Sequence, residues 1–314
     1  MTYARPAQDV RPGPHTTAVV AHRGASEEVP EHTLAAYRKA IEDGADALEC
    51  DIRLTADGHL VCVHDRRVNR TSNGRGAVST LELSDLSALD FGSWKGHATD
   101  HEAPDLDAPH LDGGGCAASD LSASPPGATA PYGLGGGPRP PGGADRERTS
   151  VLTLERLLEL VADAGRPVEL AIETKHPTRW AGQVEDRLLG LLRRYDLADP
   201  PAGSRSPVRV MSFSARSLHR VRAAAPALPT VYLMPFVTPR HRDGKLPPGV
   251  TIAGPSMRII RAHPEYVARA HRAGHRVHVW TVNEPEDVEL CARLGVDAVI
   301  TNRPKQVLNQ LGRP

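Results

Sequence analysis

Short apolar runs alternate with amphipathic segments along most of this 314-residue chain. The first run, 17–21, precedes a segment in which apolar residues recur on one helical face, from Thr33 to about Asp43. The alternation resumes at Thr153 and continues to the carboxyl-terminal residues. Apolar strands that alternate with helices are typical of a parallel sheet covered on both faces, so the pattern predicts an α/β fold. The predicted strands are 17–21, 46–52, 59–63, 168–172, 208–211, 230–233, 250–253, 277–280 and 298–300, and the predicted helices are 34–43, 81–89, 154–164, 179–195, 215–224, 264–273, 285–293 and 304–311.

The sequence predicts nine strands, one more than an eight-stranded barrel contains. We therefore expect either 230–233 or 250–253 to be irregular. Only six residues separate strands 46–52 and 59–63, too few for a helix. Six extended residues still span roughly 20 Å, enough to run back along a short strand, so these two strands are predicted to be parallel. No Gly-x-Gly-x-x-Gly follows the first strand, which argues against a dinucleotide-binding fold.

The segment 96–150 differs in composition from the rest of the chain. It contains 11 Gly and 8 Pro in 55 residues and has no hydrophobic periodicity. Such a segment cannot bury enough apolar surface to offset the entropy lost on ordering. We expect a low-complexity, largely disordered insertion after the third strand, with a lid as the less favoured alternative. Residues 1–16 are expected to be a disordered tail, and 17–314 a single domain.

Composition excludes several classes of protein. Lys and Arg number 38, as do Asp and Glu, so the formal net charge is zero and nucleic acid is not an expected partner. The four cysteines show no C-x-x-C spacing, which argues against a zinc ribbon or a disulfide scaffold. The amino-terminal residues lack the apolar core of a signal peptide, and no apolar run approaches the roughly 20 residues that span a bilayer. We expect a cytoplasmic protein without stable membrane insertion.

Three carboxylates on predicted strands indicate a metal site. Glu49 and Asp51 are two residues apart on a strand, so they project from the same face. Like charges that close destabilise each other unless a cation or a proton intervenes. Glu173 ends another strand, and the strand ends of a barrel meet at one rim. Carboxylate oxygens suit hard cations, so we predict one divalent ion, Mg²⁺ or Ca²⁺ with Mn²⁺ as a further candidate. The alternative, solvated surface charge, fits poorly with the apolar strand around Glu49.

Two histidines and two cations lie near the same predicted rim. His22 ends the first strand and His64 the third, and imidazole is the natural proton-transfer group near neutral pH. We interpret both as catalytic; the alternative is a structural, hydrogen-bonded histidine. Arg23 and Lys175 bring positive charge that suits phosphate oxygens. Their alternative role is pairing with the nearby carboxylates, and the two roles can coexist.

Other residues near strand ends give weaker indications. Trp280 ends a predicted strand and either walls a pocket or packs in the core. Glu31 is a further candidate for substrate binding. Asn283 also falls near a strand end, without a distinct role.

Several short motifs, by their order and spacing, resemble those of the glycerophosphodiester phosphodiesterase family. They are His22-Arg23-Gly24, Pro30-Glu31-His32-Thr33, Glu49-Cys50-Asp51, Leu54-Thr55-Ala56-Asp57-Gly58, His64-Asp65, Arg70-Thr71-Ser72-Asn73-Gly74, Glu173-Thr174-Lys175 and Trp280-Thr281-Val282-Asn283. The resemblance covers roughly 17–95 and 150–310. It implies a distorted TIM (β/α)8 barrel that hydrolyses a small-molecule glycerophosphodiester to sn-glycerol 3-phosphate and an alcohol.

The resemblance also implies a role for each candidate residue. Metal binding falls to Glu49, Asp51 and Glu173, acid and base catalysis to His22 and His64, and phosphate binding to Arg23 and Lys175. In the implied route the glycerol 2-hydroxyl attacks phosphorus, the alcohol leaves protonated, and water opens the cyclic intermediate.

The chain departs from the family pattern at three places. His32 stands where the family usually has Asn, Leu152 replaces a usual Pro, and the insertion 96–150 is additional. Alternative activities on the same barrel are a lysophospholipase D-like reaction and a reaction that stops at a cyclic phosphate. A barrel that binds a phosphodiester without catalysis is the alternative from another class. The leaving alcohol, the metal and the oligomeric state are left open by the sequence.

Overall fold

The computed structural model of the protein describes residues 17–96, 143–176, 182–201 and 204–313. Its strands are β1 (Ala18–His22), β2 (Ala47–Leu54), β3 (Leu60–Cys62), β4 (Glu169–Thr174), β5 (Val208–Ser212), β6 (Thr230–Met234), β7 (Ile252–Pro255), β8 (Arg276–Val279) and β9 (Ala298–Thr301). All except β3 are parallel neighbours, and β1 pairs with both β2 and β9, which closes an eight-stranded barrel. Helices surround it, and the architecture is that of a TIM barrel, as predicted.

The helices are α1 (Leu34–Glu42), α2 (Leu83–Ser87), α3 (Gly143–Thr149), α4 (Leu154–Ala162), α5 (Gln183–Arg194), α6 (Ala215–Ala224), α7 (Met257–Ala262), α8 (Glu265–Arg272), α9 (Pro285–Leu294) and α10 (Pro304–Gln310). The predicted starts of α1 and α4 are confirmed, because the hydroxyls of Thr33 and Thr153 accept backbone N–H groups of the first turns. None of the described helices combines the length and the apolar character that crossing a bilayer requires.

The third strand runs opposite to its predicted direction. β3 pairs antiparallel with β2, with Ile52 opposite Cys62. The connection is a hairpin turn in which the Thr55 N–H donates to the His59 carbonyl. Six residues are long enough to return along the barrel, but in a hairpin they form a tight turn and β3 can bond the neighbouring backbone of β2 directly. β3 is thus the additional strand, and the expectation that 230–233 or 250–253 would be irregular was wrong.

The hairpin determines where His64 lies. β2 continues past the last residue that it pairs with β4, and β3 brings the chain back toward the rim. The Val63 N–H donates to the Asp51 carbonyl over 3.0 Å, so His64 follows directly beside the acidic strand. A histidine at the end of a returning strand therefore reaches the same rim as His22.

Side chains alternate along the barrel strands and form two apolar layers, and the polar rim lies beyond them at the carboxyl ends. One set of side chains packs between the sheet and the helices, for example Leu170, Ile172 and Val210. The other set fills the barrel interior and includes Val20, Ala171, Met211, Val231, Ile252 and Ile300. The polar residues of the same strands follow these interior residues at the carboxyl ends, which is where barrel active sites are built.

Part of the Gly/Pro-rich segment is helical. α3 lies within 96–150, and Arg38 of α1 makes a two-point ion pair with Glu147. From the sequence α3 was missed because 96–150 was judged by its overall Gly and Pro content, although the last residues of the segment contain little of either. α7 was also missed, since its six residues are too few to show a period. The predictions for 1–16 and for 97–142 fall outside the described residues.

Candidate active site

Three buried carboxylates meet at the carboxyl end of the barrel. Asp51 and Glu173 are register partners on β2 and β4, and Glu49 precedes Asp51 on the same face. Each is at most 7% exposed. One oxygen from each lies within 4.8 Å of the others. The sequence-based grouping of these residues is thus reproduced in space.

Burial and mutual charge affect the three carboxyls differently. Burial and the neighbouring Asp51 raise the pKa of Glu49 well above its usual range. Burial raises the pKa of Glu173 to about 8, against the opposing charge of Lys175. Burial also acts on Asp51, but Lys175 and Arg23 outweigh it and hold the pKa of Asp51 well below its usual range. This donor set fits a hard divalent cation, whose charge would stabilise all three in ionised form.

Arg23 and Lys175 lie against these carboxylates. The Arg23 backbone N–H donates to Glu49 Oε2 over 3.0 Å. Arg23 Nε is 3.0 Å from Asp51 Oδ2, but its N–H does not point at that oxygen, so the contact is ionic rather than a hydrogen bond. Lys175 Nζ lies 3.1 Å from Glu173 and 3.4 Å from Asp51. Both cations are therefore at the predicted position.

His22 presents one ring nitrogen to the acidic cluster. Its Nδ1 lies 2.6 Å from Asn302 Oδ1, and its Nε2 lies 4.0 Å from Glu49 Oε2. An amide oxygen only accepts, so Nδ1 carries the hydrogen and a neutral ring has a free lone pair on Nε2. Burial and the Arg23 charge lower the pKa of His22 to about 3. His22 therefore has the state of a proton acceptor.

His64 has a charged partner instead. Its Nδ1 lies 2.7 Å from Asp65 Oδ1, and its backbone carbonyl accepts two N–H groups of the buried Arg53. A carboxylate on Nδ1 fixes the tautomer and stabilises a ring that carries a proton on both nitrogens. The two histidines thus differ in the charge of their partner.

Arg70 joins the two sides of the rim, a role that the sequence did not reveal. Its guanidinium makes two-point contacts with Asp65 and with Glu31. Glu31 in turn accepts from Arg23 over 3.1 Å. Both Glu31 oxygens are therefore bound to arginine. The motif Arg70-Thr71-Ser72-Asn73-Gly74 was the one signal, but its partners are not readable from local sequence.

Trp280 and Asn283 lie in the segment that follows β8. Trp280 donates its indole N–H to the Gly254 carbonyl and meets Phe213 edge to face at 5.3 Å between ring centres. Asn283 Oδ1 accepts the Asn302 backbone N–H over 2.9 Å. Trp280 thus combines a packing role with partial exposure, and Asn283 supports the loop that orients His22.

Comparison with known proteins agrees with this geometry. The model of the Glycerophosphoryl diester phosphodiesterase family matches residues 22–306. The chain belongs to this family. It is accordingly a phosphoric diester hydrolase, and the family resemblance of its motifs is confirmed.

Relatives within the glycerophosphoryl diester phosphodiesterase family are similar over nearly the whole chain. The "Probable glycerophosphodiester phosphodiesterase 1" of Mycobacterium tuberculosis is 42% identical over 91% of this chain and 89% of its own length. The glycerophosphodiester phosphodiesterase of Caldanaerobacter subterraneus is 30% identical over 93% and 97%, respectively.

Solved structures named as phosphodiesterases share the fold. An Oleispira antarctica phosphodiesterase in complex with the product sn-glycerol-3-phosphate superposes with a TM-score of 0.66 at 20% identity, over 94% of this chain and 96% of that one. Glycerophosphodiester phosphodiesterase from Agrobacterium tumefaciens gives 0.63 at 21% identity, over 94% and 100%.

Proposed function

We propose that the protein hydrolyses small glycerophosphodiesters to sn-glycerol 3-phosphate and an alcohol, with one divalent cation and two histidines. The observation that supports this most is the meeting of three buried carboxylates beside His22 and His64, each ring fixed at Nδ1. A packed barrel rim gains no stability from that many buried charges, whereas a phosphodiester reaction uses each of them.

Glu49, Asp51 and Glu173 would hold the cation. When bound, it would neutralise charge on the phosphoryl oxygens and orient the diester. Mg²⁺ and Ca²⁺ both suit an all-oxygen donor set, and Mn²⁺ is a further candidate.

Arg23 and Lys175 would bind the phosphoryl group. Both side chains are largely buried and lie within ion-pair distance of Asp51 and Glu173. With a cation on the carboxylates, these two positive charges are no longer needed to balance them, and they can face a phosphodiester oxygen. Glu31 holds Arg23 in place through its own oxygen, so we assign it to positioning the phosphate ligand.

The two histidines divide the proton transfers. His22 Nε2 takes the proton of the glycerol 2-hydroxyl as its oxygen attacks phosphorus. His64 gives its Nε2 proton to the alcohol oxygen as the P–O bond to that alcohol breaks. In the second stage His64 takes a proton from water, whose oxygen attacks the cyclic phosphate. His22 returns its proton to the 2-hydroxyl, and sn-glycerol 3-phosphate results.

The leaving alcohol would face the apolar side of the opening. Phe213 follows β5 and Trp280 follows β8, and their rings meet edge to face at 5.3 Å between centres. Carboxylates and cations bind the phosphate half, so the aromatic side remains for the alcohol, and we assign Trp280 to that contact.

A coupled assay for glycerol 3-phosphate over a panel of diesters tests the proposal, with Mg²⁺, Ca²⁺ and Mn²⁺ supplied in turn after chelation. We expect release of glycerol 3-phosphate only with a cation present. Phosphorus NMR of the product separates this open ester from a cyclic phosphate. Accumulation of the cyclic ester, or ligand binding without product under every metal, would contradict the proposal.

A further inference from the structure

His32 is buried between two of the three carboxylate-bearing residues. It is 5% exposed and lies in the loop before α1. Its Nε2 is 3.0 Å from Asp51 Oδ2 and its Nδ1 is 2.8 Å from the Tyr37 hydroxyl. That hydroxyl is also 3.0 Å from the Glu49 backbone carbonyl. One hydrogen-bonded chain therefore links the Asp51 side chain to the Glu49 backbone.

The positions that hydrogens can take in this hydrogen-bond network follow from which atoms can donate. The Asp51 carboxylate only accepts, so His32 Nε2 must carry a hydrogen. The single hydroxyl hydrogen of Tyr37 is donated either to the Glu49 carbonyl or to His32 Nδ1. In the first arrangement both ring nitrogens carry hydrogen, and in the second only Nε2 does. The Nε2–H to Asp51 is common to both.

That hydrogen bond restrains one oxygen of Asp51. His32 holds Oδ2, which also faces Arg23, whereas Oδ1 is the oxygen 3.4 Å from Lys175. Tyr37 is fully buried in α1, so the ring of His32 cannot swing without breaking its bond to a fixed hydroxyl. The Asp51 side chain is thus restrained at Oδ2. Since both ring nitrogens of His32 are engaged inside the protein, neither is available to bind substrate.

We propose that His32 is a positioning residue of the cation site: it fixes Asp51 at Oδ2 so that the other oxygen, Oδ1, is presented together with Glu49 and Glu173. This inference rests on the proposed function. Mg²⁺ demands near-ideal octahedral geometry whereas Ca²⁺ tolerates irregular sites. A restrained Asp51 should therefore matter more for Mg²⁺ than for Ca²⁺.

The backbone at His32 allows a clean pair of variants. Its φ is +60°, a region that Asn and Gly adopt readily and most other residues avoid. His32→Gln keeps a side-chain N–H near the position of Nε2, because its amide nitrogen is as many bonds from Cα as that ring nitrogen. His32→Gly removes the donor without straining the backbone. His59→Ala, at an exposed histidine in the β2–β3 turn, is the matched control.

Calorimetric titration of chelator-treated protein with Mg²⁺ and with Ca²⁺ measures the effect directly, and thermal unfolding without metal checks the fold. We expect His32→Gly to lose about 10–100-fold in Mg²⁺ affinity and less in Ca²⁺ affinity. His32→Gln should stay within about threefold of the wild type, because its amide N–H replaces that of ring Nε2. Nitrogen-15 NMR of the metal-free wild type should show a hydrogen on His32 Nε2.

Equal Mg²⁺ affinity of His32→Gly and the wild type would overturn the inference, as would equal losses in the Gly and Gln variants or an Nε2 without hydrogen. The NMR result needs no variant, so it decides even where a variant does not fold. A wild type that binds no cation would instead overturn the proposed metal site itself, which separates the two failures.

Discussion

At the scale of single residues, the partners of the two histidines differ in charge, and the division of proton transfers that we propose rests on this difference. His22 faces a neutral amide oxygen of Asn302, whereas His64 faces the carboxylate of Asp65. Both arrangements place a hydrogen on Nδ1 and direct Nε2 elsewhere. The neutral partner suits a ring that accepts a proton, and the charged partner suits a ring that donates one.

Removal of either ring should abolish most turnover. For His22→Ala and His64→Ala we expect kcat to fall about 10²–10⁴-fold, the usual contribution of a positioned acid or base. Neither ring is among the three proposed ligands, so calorimetric Mg²⁺ affinity should stay close to that of the wild type. His59→Ala serves as the control. Full activity in both variants would remove the acid–base assignment.

Asp65→Asn tests the charged partner without removing a side chain. The amide keeps an acceptor near His64 Nδ1 but loses the charge that stabilises the protonated ring, so we expect kcat to fall about 10²–10⁴-fold with a smaller change in KM. Steady-state kinetics measure both constants, and the exposed Asp199→Asn is the matched control. A change confined to KM would point to substrate binding instead.

At the scale of elements, the rim is assembled by the alternation of side chains along β2 and by the β2–β3 hairpin. The alternation along β2 could be predicted from the sequence, because Glu49 and Asp51 lie on the same face whichever strands pair with β2. The direction of β3 could not, since a parallel return and a hairpin fit the same six residues. The network of Arg70 was equally hidden, because Glu31 lies 39 positions earlier in the chain.

Gly24 fixes how closely α1 approaches the end of β1. Its φ is +84°, and a Cβ there would lie 2.6 Å from the backbone of Ala36 in α1. We expect Gly24→Ala to lower the free energy of unfolding by more than about 2 kcal/mol, from strain and collision together. Gly165→Ala is the control, since its φ is +68° but no atom lies within 4 Å of the added Cβ. Denaturant unfolding that gives equal losses for both would contradict the close approach.

At the scale of the whole molecule, closure of the barrel brings residues from 22 to 302 into one site. The alternation of strands and helices predicted a parallel sheet covered on both faces, and the family resemblance implied that this sheet closes into a barrel. The three carboxylates could also be grouped from the sequence, because the strand ends of a barrel meet at one rim. The contact of His32 with Asp51 could not be predicted, since His32 lies in a loop whose course depends on the closed barrel.

Cation binding should release protons from the assembled site. Burial raises the pKa of Glu49 well above its usual range and that of Glu173 to about 8, so Glu173 holds a proton at neutral pH in the metal-free protein. The cation binds the ionised carboxylates, so affinity should rise as the pH is raised towards about 8. Titrations in buffers of different ionisation enthalpy measure the number released. Binding without proton release would contradict the coupled site.

A crystal of the protein soaked in Mn²⁺, with an anomalous difference map, tests the central claim most directly. We expect a single strong peak about 2.0–2.6 Å from oxygens of Glu49, Asp51 and Glu173, with both histidines beside it. A peak bound by other residues, or a Glu173 side chain turned away from the other two, would contradict the account.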